Sequence, residues 1–126
     1  MSEIRATTIS DAAGTGPITL TGQVSAKIWA AVETVTTTTL HDSFNISSIT
    51  DTATGSTTYS YTNAMSDQYY SLTGSCTNSN NFLGIQHATE TAGLPAASTC
   101  GVTSRNHDGS TEDVSRQYII AVGDLA

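Results

Sequence analysis

Three histidines and two cysteines are the soft side chains in this chain that could bind a transition metal. They are His41, His87, His107, Cys76 and Cys100. Zinc sites combine such ligands in short repeated spacings such as C-x-x-C, and none of these five residues lies that close to another. We therefore predict no metal site and no other cofactor.

An acidic segment near the C-terminus is the second candidate for chemistry. Residues 106–113 read Asn-His-Asp-Gly-Ser-Thr-Glu-Asp, and their oxygen atoms resemble the ligands of a calcium loop. The glycine is not where an EF-hand loop has it, and the final Glu is missing. We therefore interpret the segment as a solvated acidic turn.

Nucleophilic catalysis is the third possibility. Ser, His and Asp are all present, but no Gly-x-Ser-x-Gly elbow marks a nucleophile. A catalytic triad is defined by a geometry that the sequence does not give. We predict no catalytic residue and expect a protein that is not an enzyme.

Cys76 and Cys100 leave two alternatives open. A disulfide between them would stabilise the fold by about 3 kcal/mol if the geometry allows it. Two free thiols are equally compatible with the sequence. Synthesis in a cytoplasm opposes the bond, whereas later exposure outside a cell would permit it.

Length, composition and charge limit the classes of function. The chain has 126 residues and is 37% hydrophobic, which is enough for one domain with a small core. Four basic against eleven acidic residues give a net charge of -7, so a basic surface that tracks phosphates is not expected. No apolar run reaches the roughly 20 residues needed to cross a bilayer, and Met1–Ile9 lack the pattern of a secretion signal. We expect neither nucleic-acid binding nor membrane insertion.

The elements that position these residues are predicted to be strands. Abundant Thr and Tyr with few charges favour short β-strands separated by turns. Val24–Val35 fits both a strand and a helix by its apolar spacing, and we favour a strand because four threonines follow it. The predicted strands are Val24–Val35, Phe44–Ile49, Thr57–Tyr61, Gln68–Cys76, Phe82–Gln86, Cys100–Arg105 and Ser115–Val122.

These strands predict an all-β fold, an antiparallel β-sandwich or jelly-roll-like head over residues 24–126. The clearest local feature is a hairpin in which Phe44–Ile49 and Thr57–Tyr61 flank a connection over residues 51–55 that ends in Gly55, with Tyr59 and Tyr61 on one face of the second strand. The last strand is apolar on both faces, which indicates a central strand or a subunit interface. The predicted core residues are Trp29, Phe44, Ile46, Tyr59 and Ile120.

Residues 1–23 are predicted to form an extended N-terminal anchoring arm. The sequence Gly14–Pro17 breaks any preceding structure. The apolar residues of the arm are too sparse to form a core of their own, so we expect them to contact other chains. They are Ile4, Ile9, Ile18 and Leu20.

Four stretches of the chain resemble a family of short virion proteins of tailed bacteriophages. They are Thr8–Pro17, Ala26–Trp29, Asp42–Asp51 and Gly123–Ala126. The resemblance implies a structural, tail-fibre-like protein of the virion, made in the host cytoplasm and assembled with other virion proteins. It also implies a homo-oligomer, with a trimer as the first choice.

The position on the particle stays open at this stage. A fibre tip exposed on the particle is the leading hypothesis, and a capsid decoration protein that stabilises the head is the alternative. An appendage that cleaves host polysaccharide is a further alternative, although such enzymes use paired carboxylates in a long β-helix that this chain is too short to form.

Any contact with the host surface, whether glycan or protein, is predicted on the loops between Thr77 and Asp113. Asn, Ser, Thr and Gly there supply adaptable hydrogen bonding on a rigid scaffold. The candidate contact residues are Phe82, His87, Asn106 and His107. A tyrosine cluster could form another contact surface or pack in the core, namely Tyr59, Tyr61, Tyr69 and Tyr70.

Overall fold

A computed structural model describes residues 25–77, 84–87 and 95–126, which form eight β-strands and no helix. The strands are β1 Ala26–Glu33, β2 Thr39–Phe44, β3 Ile46–Ala53, β4 Ser56–Tyr61, β5 Ser71–Thr77, β6 Gly84–His87, β7 Thr99–Arg105 and β8 Arg116–Val122. The anchoring arm predicted over residues 1–23, with Ile4, Ile9, Ile18 and Leu20, lies outside the described residues.

The strands form two four-stranded sheets that pack face to face. The first sheet has the order β2-β1-β8-β5 and the second has the order β3-β4-β7-β6, with all neighbours antiparallel. This arrangement confirms the all-β antiparallel sandwich. β8 is central in its sheet, as its apolar character on both faces indicated.

The strand alternative for the ambiguous segment before Thr36 is confirmed. In β1, Ile28, Ala30 and Val32 alternate as buried residues, which is the two-residue period of a strand. β1 pairs with β2 on one side and β8 on the other. Its backbone groups are therefore hydrogen-bonded to a neighbouring strand on each side, as in the interior of a sheet.

A corner at Asn45 divides the strand predicted over Phe44–Ile49 into β2 and β3. Asn45 has a φ of 60°, a conformation that Asn adopts more readily than most residues. Its side-chain amide donates to the Asn63 carbonyl at 3.0 Å, and its Oδ1 accepts from the Asn63 amide at 2.7 Å. The chain passes here from the first sheet to the second, which the strand pattern did not reveal.

The predicted hairpin is confirmed as β3 and β4, but β3 extends to Ala53, so the connection is only Thr54 and Gly55 rather than residues 51–55. Gly55 has a φ of 71°. Its amide donates to Asp113 Oδ1 at 2.6 Å, and its carbonyl accepts from the Ser104 amide at 2.7 Å. The turn is therefore held against β7 and the connection that leads to β8.

The core between the sheets is mostly aliphatic and is crossed by a buried polar link. Gln117 on β8 is fully buried, and its Oε1 accepts a hydrogen bond from the Tyr59 hydroxyl on β4. Its amide Nε2 donates to Ser104 Oγ on β7 at 2.7 Å. Since β8 belongs to the first sheet and the other two strands to the second, this network fixes how the sheets face each other.

Tyr59 is fully buried and Ile46 packs against the core cluster, but three of the predicted core residues face outward. Trp29, Phe44 and Ile120 are 37%, 52% and 40% exposed. Successive side chains of a strand point to opposite faces. The faces turned toward the second sheet are those of Ile28 and Ala30 in β1 and of Ile119 and Ala121 in β8. The prediction that Trp29, Phe44 and Ile120 lie in the core was wrong, because these residues occupy the opposite face of their strands.

Phe44 illustrates the consequence for stability. In the core, where it was predicted, Phe44 would leave a cavity on truncation to Ala that costs about 3–5 kcal/mol. A side chain that is half exposed leaves no enclosed cavity when it is truncated. The expected cost to the fold of a single chain is therefore no more than about 1 kcal/mol.

Candidate functional site

A row of large apolar side chains crosses the solvent side of the first sheet, which we call the outer face. Trp29 on β1 lies opposite Phe44 on β2 and opposite Ile120 on β8. Thr73 on the edge strand β5 lies opposite Ile120 and completes the row. Large apolar side chains on three neighbouring strands indicate a contact surface, whereas a single exposed apolar residue would not.

The adjacent row places an exposed tyrosine between small neighbours. Tyr118 is 42% exposed and lies opposite Ala31 on β1 and Ser75 on β5. These short side chains leave a shallow depression next to the ring, over β5 and β8. The depression is lined by Thr73, Gly74, Ser75, Tyr118, Ile119 and Ile120.

Beyond Tyr118, the outer face ends in a small ionic network. Glu33 Oε2 accepts hydrogen bonds from Arg116 Nη1 at 2.8 Å and from His41 Nε2 at 3.2 Å. These hydrogen bonds lower the pKa of Glu33, and the bond from His41 has the larger effect. The network therefore contributes stability at pH values above the ordinary pKa of Glu, and this contribution is lost as the pH falls through the lowered pKa of Glu33. Exposed ion pairs of this kind stabilise a fold only weakly.

Charge is distributed unevenly between the outer face and the remaining surface. The outer face carries two basic side chains, Lys27 and Arg116, and two acidic ones, Glu33 and Asp42. The rest of the described residues contain one basic side chain, Arg105, and six acidic ones. The six are Asp51, Asp67, Asp108, Glu112, Asp113 and Asp124. The outer face is therefore close to neutral on a protein that is otherwise acidic.

The predicted host-contact residues are not brought to one place by the described structure. Phe82 lies outside the described residues. His87 ends β6 opposite Val102, whereas Gly84 at the start of that strand lies opposite Arg105, next to Asn106 and His107. His87 is thus separated from the turn by three strand residues, or roughly 10 Å.

Asn106 and His107 belong to a turn between β7 and β8 that is closed by its own hydrogen bonds. Asn106 Oδ1 accepts from the amides of Asp108 and Ser110 at 3.3 and 3.0 Å. Arg105 Nη1 donates to the Gly109 carbonyl at 2.6 Å. His107 is exposed. The acidic segment therefore forms a compact turn, and in the described residues no group of three or more His, Cys, Asp or Glu side chains could hold a metal ion.

The tyrosine cluster is mainly part of the core. Tyr59, Tyr61 and Tyr70 are buried, whereas Tyr69 is 84% exposed. The hydroxyls of Tyr61 and Tyr70 lie 2.7 Å apart, and the rings meet edge to face at 6.1 Å. Burial raises the pKa of Tyr70 to about 12 and also raises the pKa values of Tyr59 and Tyr61. Packing is the role of the three buried rings.

The two cysteines are free thiols in the structure. Cys100 is fully buried, and this burial raises its pKa to about 11. Partial burial also raises the pKa of Cys76. Of the two alternatives that the sequence left open, the structure therefore has the pair of free thiols.

We expect Cys76 to react with iodoacetamide faster than Cys100 by at least about tenfold in the folded protein, because a fully buried thiol must await an opening of the structure. Mass spectrometry of peptides after timed alkylation at pH 8 measures both rates. Alkylation in a denaturant provides the control, since both thiols should then react alike. Equal rates in the folded protein, or failure of both to react until a reductant is added, would contradict this prediction.

The sequence pattern led to the prediction that Trp29, Phe44 and Ile120 lie in the core, whereas they form the outer face. One feature of the sequence did indicate an exposed apolar face. The last strand has Tyr118, Ile120 and Val122 on one side and Ile119 and Ala121 on the other, so both of its faces are apolar. In a two-sheet sandwich the second sheet covers only one face of each strand, so the other apolar face is exposed. The strand pattern could not tell which face was the outer one.

Comparison with known proteins provides no family for this fold and surface. No protein-family model, no curated protein and no solved structure matches the chain. The described residues also contain no helix with the length and apolar character to cross a membrane. The function is therefore inferred from the chain itself.

Proposed function

We propose that this chain is a non-enzymatic structural protein of a tailed-bacteriophage virion, a tail-fibre-like or fibre-tip component exposed on the particle. Two kinds of observation support the proposal. The resemblance of four stretches to short virion proteins indicates the class, and the β-sandwich supplies a rigid scaffold for contacts with other proteins.

The observation that carries the proposal is the outer face with its four large exposed side chains. Trp29, Phe44, Tyr118 and Ile120 lie on neighbouring strands of one sheet. Water-exposed apolar groups in such a cluster are costly, and they gain free energy when another protein covers them. Such a face is typical of a component of a larger assembly, in which another protein covers it, rather than of a protein that stays monomeric.

The remaining parts of the proposal concern its partners. The protein forms a homo-oligomer, for which a trimer is the proposed state within the virion, and the arm over residues 1–23 anchors it to other virion proteins. The net charge of -7 favours protein partners over nucleic acid. Contact with a host glycan or protein through Phe82, His87, Asn106 and His107 stays a prediction.

Labelling of purified particles tests the function directly. A gold-labelled antibody against the chain is expected to mark the tail tip in electron micrographs, and peptides of the chain should be found in particles purified through a density gradient. Label distributed over the head would instead support the capsid decoration protein. Absence of the chain from purified particles would overturn both.

Removal of residues 2–23 is expected to abolish incorporation into particles while leaving the sandwich folded, because the arm carries the proposed anchoring contacts. Quantitative mass spectrometry of particles measures the copy number. Circular dichroism of the purified truncated protein checks the fold, and the full-length chain expressed in parallel is the control. Incorporation of a folded truncated protein at the normal copy number would show that the arm does not anchor it.

A further inference from the structure

We propose that the partner that covers the outer face is a second copy of this chain, so that the copies associate through Trp29, Phe44, Tyr118 and Ile120. This inference deepens the proposed function, because it rests on the same contact face and names what binds there. It concerns the purified protein and can therefore be tested apart from the virion.

The distribution of charge favours the outer face as the contact between copies. Two copies each carry a net charge of -7 and repel each other wherever their acidic surfaces meet. The outer face is the part of the described surface where two basic and two acidic side chains balance. Copies can therefore approach each other there without the repulsion that acts elsewhere.

The charges of the outer face are distributed unevenly along its strands. Lys27 lies near the start of β1, whereas Asp42, Glu33 and Arg116 lie toward its end. Arg116 pairs with Glu33 there at 2.8 Å, so this end keeps one net negative charge, on Asp42. When two such faces meet with their strands in opposite directions, Lys27 of one copy approaches the acidic end of the other. Groups of opposite charge are then paired at both edges of the apolar contact.

The shape of the outer face suits packing against another sheet. Its row of large apolar side chains is continuous over three strands and ends at Thr73 on the fourth. Sheets pack about 10 Å apart when their side chains interdigitate. The depression next to Tyr118, between Thr73 and Ser75, leaves room for a side chain from the opposing surface. Ile120 and Phe44 protrude from the same surface and are of the size to fill it.

The size of the outer face sets the expected strength of the association. Four strands of about seven residues give a surface roughly 20 Å by 20 Å. A contact of this size buries less than the roughly 1,200 Å² or more of stable complexes unless the flanking loops add to it. We therefore expect an association that depends on protein concentration, with a dissociation constant on the order of micromolar.

Analytical ultracentrifugation of the full chain tests this inference. The monomer mass is 13.1 kDa. Over a range of about 1 to 300 μM, which brackets a micromolar dissociation constant, the average mass is expected to rise toward twice that value. Two outer faces that cover each other close a pair, so this contact is distinct from that of a trimer in the virion. A single species of 13.1 kDa over the whole range would overturn the inference.

Two charged variants assign the association to the outer face. Ile120→Glu and Phe44→Glu each place a repelling charge on the contact, and each is expected to weaken association by at least about tenfold. Both positions are exposed, so circular dichroism should show the same sandwich. Tyr69→Ser is the matched control, because it removes an aromatic side chain that is 84% exposed and belongs to none of the four strands of the outer face.

Each outcome of the variant series decides the inference. Weaker association in both Glu variants, with normal association in Tyr69→Ser, would support it. Unchanged association in the Glu variants would overturn it and assign the oligomer to another surface. A chain that stays monomeric in solution but labels the particle would leave the virion function standing and assign the outer face to a different virion protein.

Discussion

Replacement of Tyr59 by Ala is expected to lower the free energy of unfolding by about 3–5 kcal/mol. Tyr59 is the largest fully buried side chain, and it reaches from the second sheet to Gln117 in the first. Its truncation leaves a cavity between the sheets and removes the donor for the Gln117 carbonyl oxygen. Urea unfolding followed by Trp29 fluorescence measures the loss.

Two control variants separate the parts of this effect. Tyr59→Phe keeps the ring and removes only the hydroxyl, so it should cost about 1–3 kcal/mol for the buried Gln117 oxygen that loses its partner. Tyr69→Ala removes the same atoms from an exposed position and should change stability by less than about 0.5 kcal/mol. A loss for Tyr59→Ala no larger than that for Tyr69→Ala would show that the two sheets do not pack through this ring.

Gly55→Ala is expected to destabilise the sandwich by more than about 3 kcal/mol, because two costs combine at this turn. The φ of 71° is unfavourable by roughly 1–2 kcal/mol for a residue with a Cβ. The added Cβ would also lie 2.6 Å from the Glu112 amide nitrogen and 2.8 Å from the Ser104 carbonyl oxygen. Both are backbone atoms, so the β3–β4 hairpin or the connection to β8 must shift.

Gly109→Ala is the matched control for this prediction. Gly109 also has a positive φ, 88°, but no heavy atom lies within 4 Å of the position that its Cβ would occupy. It should therefore show the conformational cost alone, roughly 1–2 kcal/mol. Thermal or urea unfolding of the two variants gives the difference. Equal losses would mean that the close approach between Gly55 and the 104–112 segment does not contribute.

The sequence predicted local structure best where the signal was local. The hairpin around Gly55 combined apolar alternation with a residue that tolerates positive φ, and both features survive in the folded protein. β1 was assigned correctly because a run of threonines follows it. The start of β5 was predicted three residues early, at Gln68, since the turn in which Asp67 Oδ1 accepts from the Tyr69 amide is not visible in the apolar pattern.

Other features depended on contacts between residues far apart in the chain. The corner at Asn45 exists because Asn63, 18 residues later, pairs with its side-chain amide. Gln117 could be buried because Tyr59 and Ser104 from the opposite sheet satisfy its amide. No local pattern marks either pairing. The arm and Phe82 lie outside the described residues, so the predictions made for them stay predictions.

The sequence by itself determined the class of the fold and the alternation along each strand. Period-two patterns state which residues share a face, so Trp29 and Ala31 had to lie on one side of β1 and Ile28 and Ala30 on the other. Only the tertiary structure decided which side is inside. The second sheet covers the side that carries Ile28, Ala30 and Val32, which share the core with the tyrosine rings in the space of about 10 Å between the sheets. This pairing of the two sheets leaves Trp29 on the surface.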